Sequence, residues 1–193
     1  MKKAFVLGAA VLAATLVASS IDAAPTAAKP PKRWRGTALY TYTYKDDERS
    51  VQQTVSGSVV MAPVRARGWT GTYQVSSGTI KSDYSEKSSD GCTLTSSGSY
   101  RATKYLLTLQ VSGGNASLSG SEGAVSAPVE ATRTCPDGSS LSNPVPVFNP
   151  FFMLTRHTAG FRVKGSPGTF AGTLRRAESG AVWTVRFSFV GQR

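Results

Sequence analysis

The stretch RWRGTALYTYTY, residues 33–44, alternates with a period of two from end to end. Trp34, Gly36, Ala38, Tyr40, Tyr42 and Tyr44 fall on one side, while Arg35, Thr37, Thr41 and Thr43 fall on the other. Successive side chains of a β-strand point to opposite faces, whereas a helix brings like residues together every three or four positions. The stretch therefore predicts a long strand with its aromatic face turned inward.

The same alternation recurs along the chain. Val51, Val55, Gly57, Val59 and Met61 share a face, as do Trp69, Gly71, Tyr73 and Val75. Ile80 and Tyr84 alternate with Lys81 and Asp83, and Tyr105, Leu107, Leu109 and Val111 alternate with Lys104, Thr108 and Gln110. Val125, Ala127, Val129 and Ala131 form a weaker series, in which Pro128 points to a sheet edge or a bulge. Phe161 and Val163, Phe170 and Leu174, and Trp183, Val185, Phe187 and Phe189 complete the pattern. Between these runs lie KDDERS (45–50), SDG (89–91), SGGN (112–115), PDG (136–138) and GSPG (165–168). These supply the positive φ values and fixed proline φ that tight turns need. The expectation is an all-β domain over residues 33–193, a single antiparallel β-barrel or β-sandwich of about ten strands with no helix.

One phrase appears three times: Trp34-x-Gly36-Thr37, Trp69-x-Gly71-Thr72 and Phe170-x-Gly172-Thr173. In a strand the aromatic residue and the glycine share a face. A ring on one strand can then cover the bare backbone of a glycine on the next, which also lets the sheet bend. This reads as a building device rather than a stacking platform for a sugar or a base. The stretch LSNPVPVFNPFF (141–152) breaks the alternation with three prolines. It is expected to be an extended crossover whose phenylalanines cap the core, with a mobile apolar flap as the alternative.

The chain begins with Met1-Lys2-Lys3, an uncharged apolar run from Ala4 to Ala18, and a region of small residues ending at Ala23. That is the layout of a bacterial signal peptide over residues 1–23. Residues 24–32, rich in alanine and proline, read as a linker. No other run is long and apolar enough for a transmembrane anchor. An exported chain with two cysteines predicts a disulfide between Cys92 and Cys135. Closing that loop restricts the unfolded chain by about 4 kcal/mol. The expected location is the periplasm or the medium.

Catalytic and metal chemistry find little to work with. His157 is the sole histidine, sits beside Arg156 without a nucleophile motif, and reads as an exposed turn residue. One histidine and two paired cysteines do not make a zinc site, and Asp46-Asp47-Glu48 does not match a calcium loop. Nothing calls for a cofactor or a metal. The acids in the middle of the chain leave room for a hydrolytic carboxylate pair, yet no spacing selects two of them.

The formal charge is +11, and it is uneven. Residues 24–45 carry Lys29, Lys32, Arg33, Arg35 and Lys45 and no acid; residues 138–193 carry seven bases against Glu178. Residues 46–137 nearly balance. If the first and last strands pair, as they often do in barrels, Lys32, Arg33, Arg35 and Lys45 meet Arg162, Lys164, Arg175 and Arg186. Such a field attracts anionic polymers or lipid head groups, with lipopolysaccharide and DNA the obvious exported cases. The expected function is thus a non-catalytic β-module with an anion-binding face. The alternatives are a barrel enclosing a small apolar ligand, with Tyr40, Tyr42 and the 141–152 segment at its mouth, and a secreted inhibitor of another protein.

Overall fold

The computed structural model describes residues 31–120, 124–165 and 167–193. The expected signal peptide and residues 24–30 of the expected linker lie outside the described residues. Pro31 and Lys32 are already held in place. Pro31 is buried and its carbonyl accepts the Tyr73 hydroxyl at 3.1 Å, and the Lys32 N–H donates to the Gln192 carbonyl at 2.8 Å.

The strands are β1 (Arg33–Lys45), β2 (Arg49–Arg67), β3 (Thr70–Ser88), β4 (Thr93–Arg101), β5 (Thr108–Ser112), β6 (Asn115–Ser119), β7 (Ala124–Thr134) and β8 (Ser140–Phe148). After a single helical turn, α1 (Phe152–Thr155), follow β9 (Phe161–Arg162), β10 (Thr169–Glu178) and β11 (Ala181–Gln192). All eleven belong to one sheet, and every pairing is antiparallel. The path runs β10-β11-β1-β2-β3 and then forks. The second half of β3, Thr79–Lys87, pairs with β4, which leads on to β7 and the edge strand β8. The first half, Gly71–Gln74, pairs with β5, which leads through β6 to β9. The bridge Lys164↔Thr169 then joins the continuation of β9 to β10. Along this second branch the pairings close a circuit, so the sheet is a barrel at one end and an open, winged sheet at the other. The fork sits where β2 and β3 slip register after Val60, and there the Ser76 hydroxyl bonds the Val60 carbonyl at 3.0 Å.

Odd-even alternation sorts the side chains. Trp34, Tyr73, Met61, Leu109 and Phe189 fill the closed end, and all are buried. Above them Val55, Ile80, Leu107, Phe151, Leu154 and Val185 are fully enclosed. The rings of Phe161, Phe170 and Phe189 form a continuous stack, with Phe170 and Phe189 at 4.7 Å and nearly parallel. A filled interior of this kind contributes roughly 1.5–3 kcal/mol for each large apolar side chain taken out of water.

The repeated phrase is a building device, though its rings are not the ones that cover its glycines. Gly36 of β1 lies opposite Phe189 of β11, and Gly172 of β10 lies opposite Phe187. A methyl group on Gly36 would come within 2.3 Å of the Phe189 ring, and one on Gly172 within 3.0 Å of Phe187. Both covering rings therefore belong to β11, which lies between β1 and β10. The two tryptophans of the phrase instead meet at Gly168, which has φ +102 and where a methyl group would come within 3.1 Å of Trp34 and 3.2 Å of Trp69.

Several expectations are corrected. The segment 141–152 supplies β8, a paired edge strand, and then one helical turn, where no helix was expected. Pro144 and Pro146 are tolerated because β8 is the outermost strand of its wing. The helical turn is too short to show a 3.6 period in sequence. It exists because burying Phe151 and Leu154 sets the backbone there, helped by the Asn149 carboxamide oxygen, which accepts the Phe151 N–H at 2.9 Å. Phe148 stacks on Tyr40 at 5.4 Å, so these phenylalanines do cap the core. Tyr105, expected inward, is 69% exposed because its loop precedes β5 and the Lys104 ammonium lies over its ring. The Thr93–Arg101 and Asn115–Ser119 strands, short of large apolar residues, escaped the period-two reading. The disulfide between Cys92 and Cys135 is formed, and it ties the turn before β4 to the turn after β7. Pro128 sits at the register shift between Val125 and Val129, as a bulge there requires.

Two predictions follow from this packing. Gly36→Ala should destabilise the fold by about 1–3 kcal/mol, because the Phe189 ring has nowhere to move. Gly172→Ala, on an exposed position facing a more distant ring atom, should cost less, and Thr43→Ala on the outer face should stay within about 0.5 kcal/mol; urea midpoints order the three. Secondly, burial, reinforced by Tyr42, pushes the Tyr40 phenol up to about 12. Burial also raises Tyr84, which bonds the Glu86 carboxylate, and Tyr100. Tyrosine in the unfolded chain ionises near 10. The folded state therefore holds protons that the unfolded state releases, and stability should be intact below pH ~10 and fall as pH rises through 12. Thermal melts at pH 9 and at pH 11.5 test this; equal midpoints would contradict it.

Candidate functional site: a cationic barrel end

The tight hairpin turns fall at one of two ends. One end gathers the β1–β2 turn (residues 46–48), the β3–β4 turn, the β7–β8 turn and the β10–β11 turn. It is tied together by the Ser89 N–H to the Glu48 carbonyl at 2.7 Å and the Lys45 N–H to the Gly180 carbonyl at 3.4 Å. The opposite, closed end gathers the chain entry at Pro31–Arg33, the β2–β3 turn at Gly68-Trp69, the β5–β6 turn at Gly113-Gly114, the β9–β10 turn and the last residues of β11. There the Gly191 N–H bonds the Gly168 carbonyl and the Val163 N–H bonds the Gly114 carbonyl, both at 2.8 Å.

Charge follows this division. All described aspartates and glutamates lie in the half toward the first end: Asp46, Asp47, Glu48, Asp83, Glu86, Asp90, Glu130, Asp137 and Glu178. Several are already engaged. Asp90 pairs with Arg133 at 2.8 Å and Glu178 with Arg176 at 2.9 Å. The Asp46 carboxylate is held below its usual range by the Tyr44 hydroxyl and by the N–H groups of Arg49 and Glu48. The closed end carries Lys32, Arg33, Arg35, Arg65, Arg67, Arg162 and Lys164 and no described acid. None of these seven forms an ion pair with another described residue. At ~3.3 Å per residue, the 19 residues of β2 separate the two ends by several Debye lengths in physiological salt, so the acids do not screen the bases.

The expected anion-binding residues divide in two. Pairing of β1 with β11 over the register Arg33↔Gln192 to Tyr44↔Ala181 does bring the basic chain ends side by side. Arg35 lies across from Val190, Val190 from Thr169, and Thr169 from Lys164, so Arg35 and Lys164 sit in one outward row. Lys32 and Arg33 enter beside them, and Arg162 pairs with Asn115 at the same end. Lys45, Arg186 and Arg175 are not part of this group; Lys45 closes β1 at the opposite end. Arg186 lies opposite Leu39, four residues along β1 from Arg35, or roughly 13 Å, and Arg175 is two residues further along β10. Arg186 instead borders a shallow depression of about 570 Å³ on the outer face, lined by Thr37, Ser56, Ser58 and Thr79 with Lys81 on its far side. Arg175 borders a cleft of about 340 Å³ beside Phe152, His157 and Trp183. His157 is half-buried, its ring stacked on Phe161 at 4.9 Å, rather than an exposed turn residue.

Two arginines that belong to the cluster were missed. Arg65 and Arg67 close β2 in the phrase VRARGWT, and their charge disappears when the acids of residues 46–137 are averaged with them. A short local window would have found them. They stand on the outer face, opposite Thr72 and Thr70. With Thr70, Thr72, Gln110 and Ser112 they line a groove of about 480 Å³. Among the described residues no group of histidine, cysteine or acidic side chains is arranged to hold a metal, and no helix is long and apolar enough to cross a membrane. Comparisons with protein-family models, curated proteins and solved structures return no match to this chain, so its chemistry must be argued from the site alone.

Proposed function

We propose that this chain is an exported, non-catalytic β-module that binds anionic envelope components, such as lipopolysaccharide phosphates, anionic lipid head groups or extracellular DNA, through its cationic end. The observation that carries this reading is the segregation of charge. Lys32, Arg33, Arg35, Arg65, Arg67, Arg162 and Lys164 converge from three parts of the chain on an end with no described aspartate or glutamate. Unpaired like charges repel one another and weaken the fold, and a polyanion relieves that repulsion while releasing its own counterions. The Cys92–Cys135 bridge supports an oxidising compartment. The packed interior, with Trp34, Leu107, Leu109, Phe151 and Phe189 fully buried, supports a surface-binding role over an enclosed apolar ligand.

Binding of the purified protein to lipopolysaccharide and to a fluorescent DNA duplex, followed from 25 to 200 mM NaCl, tests the reading. The affinity should fall steeply with salt, by about 10³ between 50 and 200 mM if six contacts form. Arg33→Glu with Arg35→Glu and Lys164→Glu should weaken binding at least tenfold. Arg175→Glu with Arg186→Glu, placed away from the end, should change it less than about threefold. Indifference to both ligands at 25 mM NaCl would remove the proposal.

A further inference from the structure

We infer that the cationic end docks onto an anionic lipid bilayer, seating lipid phosphates in the Arg65–Arg67 groove while Val64 enters the interface. This deepens the proposed function by choosing one source of anion. The observation that favours a bilayer over a soluble polymer is apolar and sits at the tip of the β2–β3 hairpin.

Val64 is the additional residue where the β2–β3 register shifts between Pro63↔Tyr73 and Arg65↔Thr72. A bulge leaves its extra residue unpaired and re-aims its side chain. Here it turns a valine to solvent at 56% exposure, between the core below and two arginines beyond. Alternation alone would place a residue of this strand either in the core or among polar outer neighbours. The hairpin also runs past the first residue of β1: Trp34 pairs with Met61, and β2 continues for six more residues to Arg67. The tip thus projects beyond the start of β1, level with the β5–β6 turn. It is braced rather than loose, because Trp69 packs on Gly168, which Trp34 also touches.

The groove behind Val64 suits a phosphodiester. Arg65 and Arg67 supply forked guanidinium donors, and Thr70, Thr72, Gln110 and Ser112 supply neutral donors around them. Lys32, Arg33, Arg35 and Lys164 lie at the same end and add attraction to a charged surface, each basic residue near such a surface contributing about fivefold in binding. Bases around an exposed apolar residue are the arrangement by which peripheral proteins hold a membrane interface. A soluble polyanion has use for the bases and none for Val64.

The test compares sedimentation with phosphatidylcholine vesicles, with vesicles containing 30% phosphatidylglycerol, and binding to heparin. The protein should bind the phosphatidylglycerol vesicles and not the neutral ones. Arg65→Glu with Arg67→Glu should lower vesicle binding at least 25-fold. Val64→Asp should lower it at least fivefold while leaving heparin binding within twofold, and its unchanged thermal midpoint would show that the fold is intact. Heparin binding without vesicle binding would overturn this inference and leave the polyanion reading standing. Vesicle binding that Val64→Asp does not weaken would also overturn it. Binding to neither heparin nor vesicles would overturn both readings.

Discussion

The structure depends on two phenylalanines lying across glycines. Phe189 and Phe187, neighbours on one face of β11, cover Gly36 of β1 and Gly172 of β10. A side chain at either glycine would hold the strands' inner surfaces apart. Without one, the ring lies flat on backbone and the three strands curl together. That curl is what lets the last strands of the chain meet the first, and what brings β10 within reach of β9 to close the circuit at Lys164↔Thr169. The stack of Phe161, Phe170 and Phe189 then fills the space that the curl creates.

Closing the barrel at one end only gives the two ends different work. The open end keeps long hairpins whose acids are spent locally, on Arg133, on Arg176 and on the turn amides around Asp46. The closed end needs tight turns and short approaches, made by Gly68, Gly113, Gly114 and Gly168, all with positive φ. Among the described residues, no aspartate or glutamate side chain lies at that end with the bases. The polarity of the molecule is therefore a consequence of where the turns fall, because an antiparallel hairpin places its turn at one end of its strands or the other.

How much of this could be read in the residues varies from one part to another. The face assignments of Trp34, Ala38 and Tyr40, of Val55, Val59 and Met61, and of Val185, Phe187 and Phe189 follow directly from alternation, and each is buried. So do the turns at residues 112–115 and 136–138 and the disulfide. Strands built from serine, threonine and glycine, such as Thr93–Arg101, give no such signal, because their alternation is between small polar residues. Tyr105 was assigned inward by parity, yet parity has meaning only within a strand, and β5 begins at Thr108. Of the basic residues expected to act together, five do share one end. Lys45, Arg175 and Arg186 do not, because facing outward is a property of parity while proximity depends on register along the strand.

What the sequence determined by itself is local: period, turn chemistry, the sign and clustering of charge at the chain ends, and a pair of cysteines suited to bridging. Each of these is settled by a residue and its near neighbours. What only the tertiary structure decided is how distant segments meet. The fork in β3, the choice of β11 as the source of the covering rings, the joining of Arg65 and Arg67 to Arg33 and Lys164, and the outward aim of Val64 all depend on strand register. Register is set by the fit of many side chains at once across strands far apart in the chain, and no short window of residues contains that information.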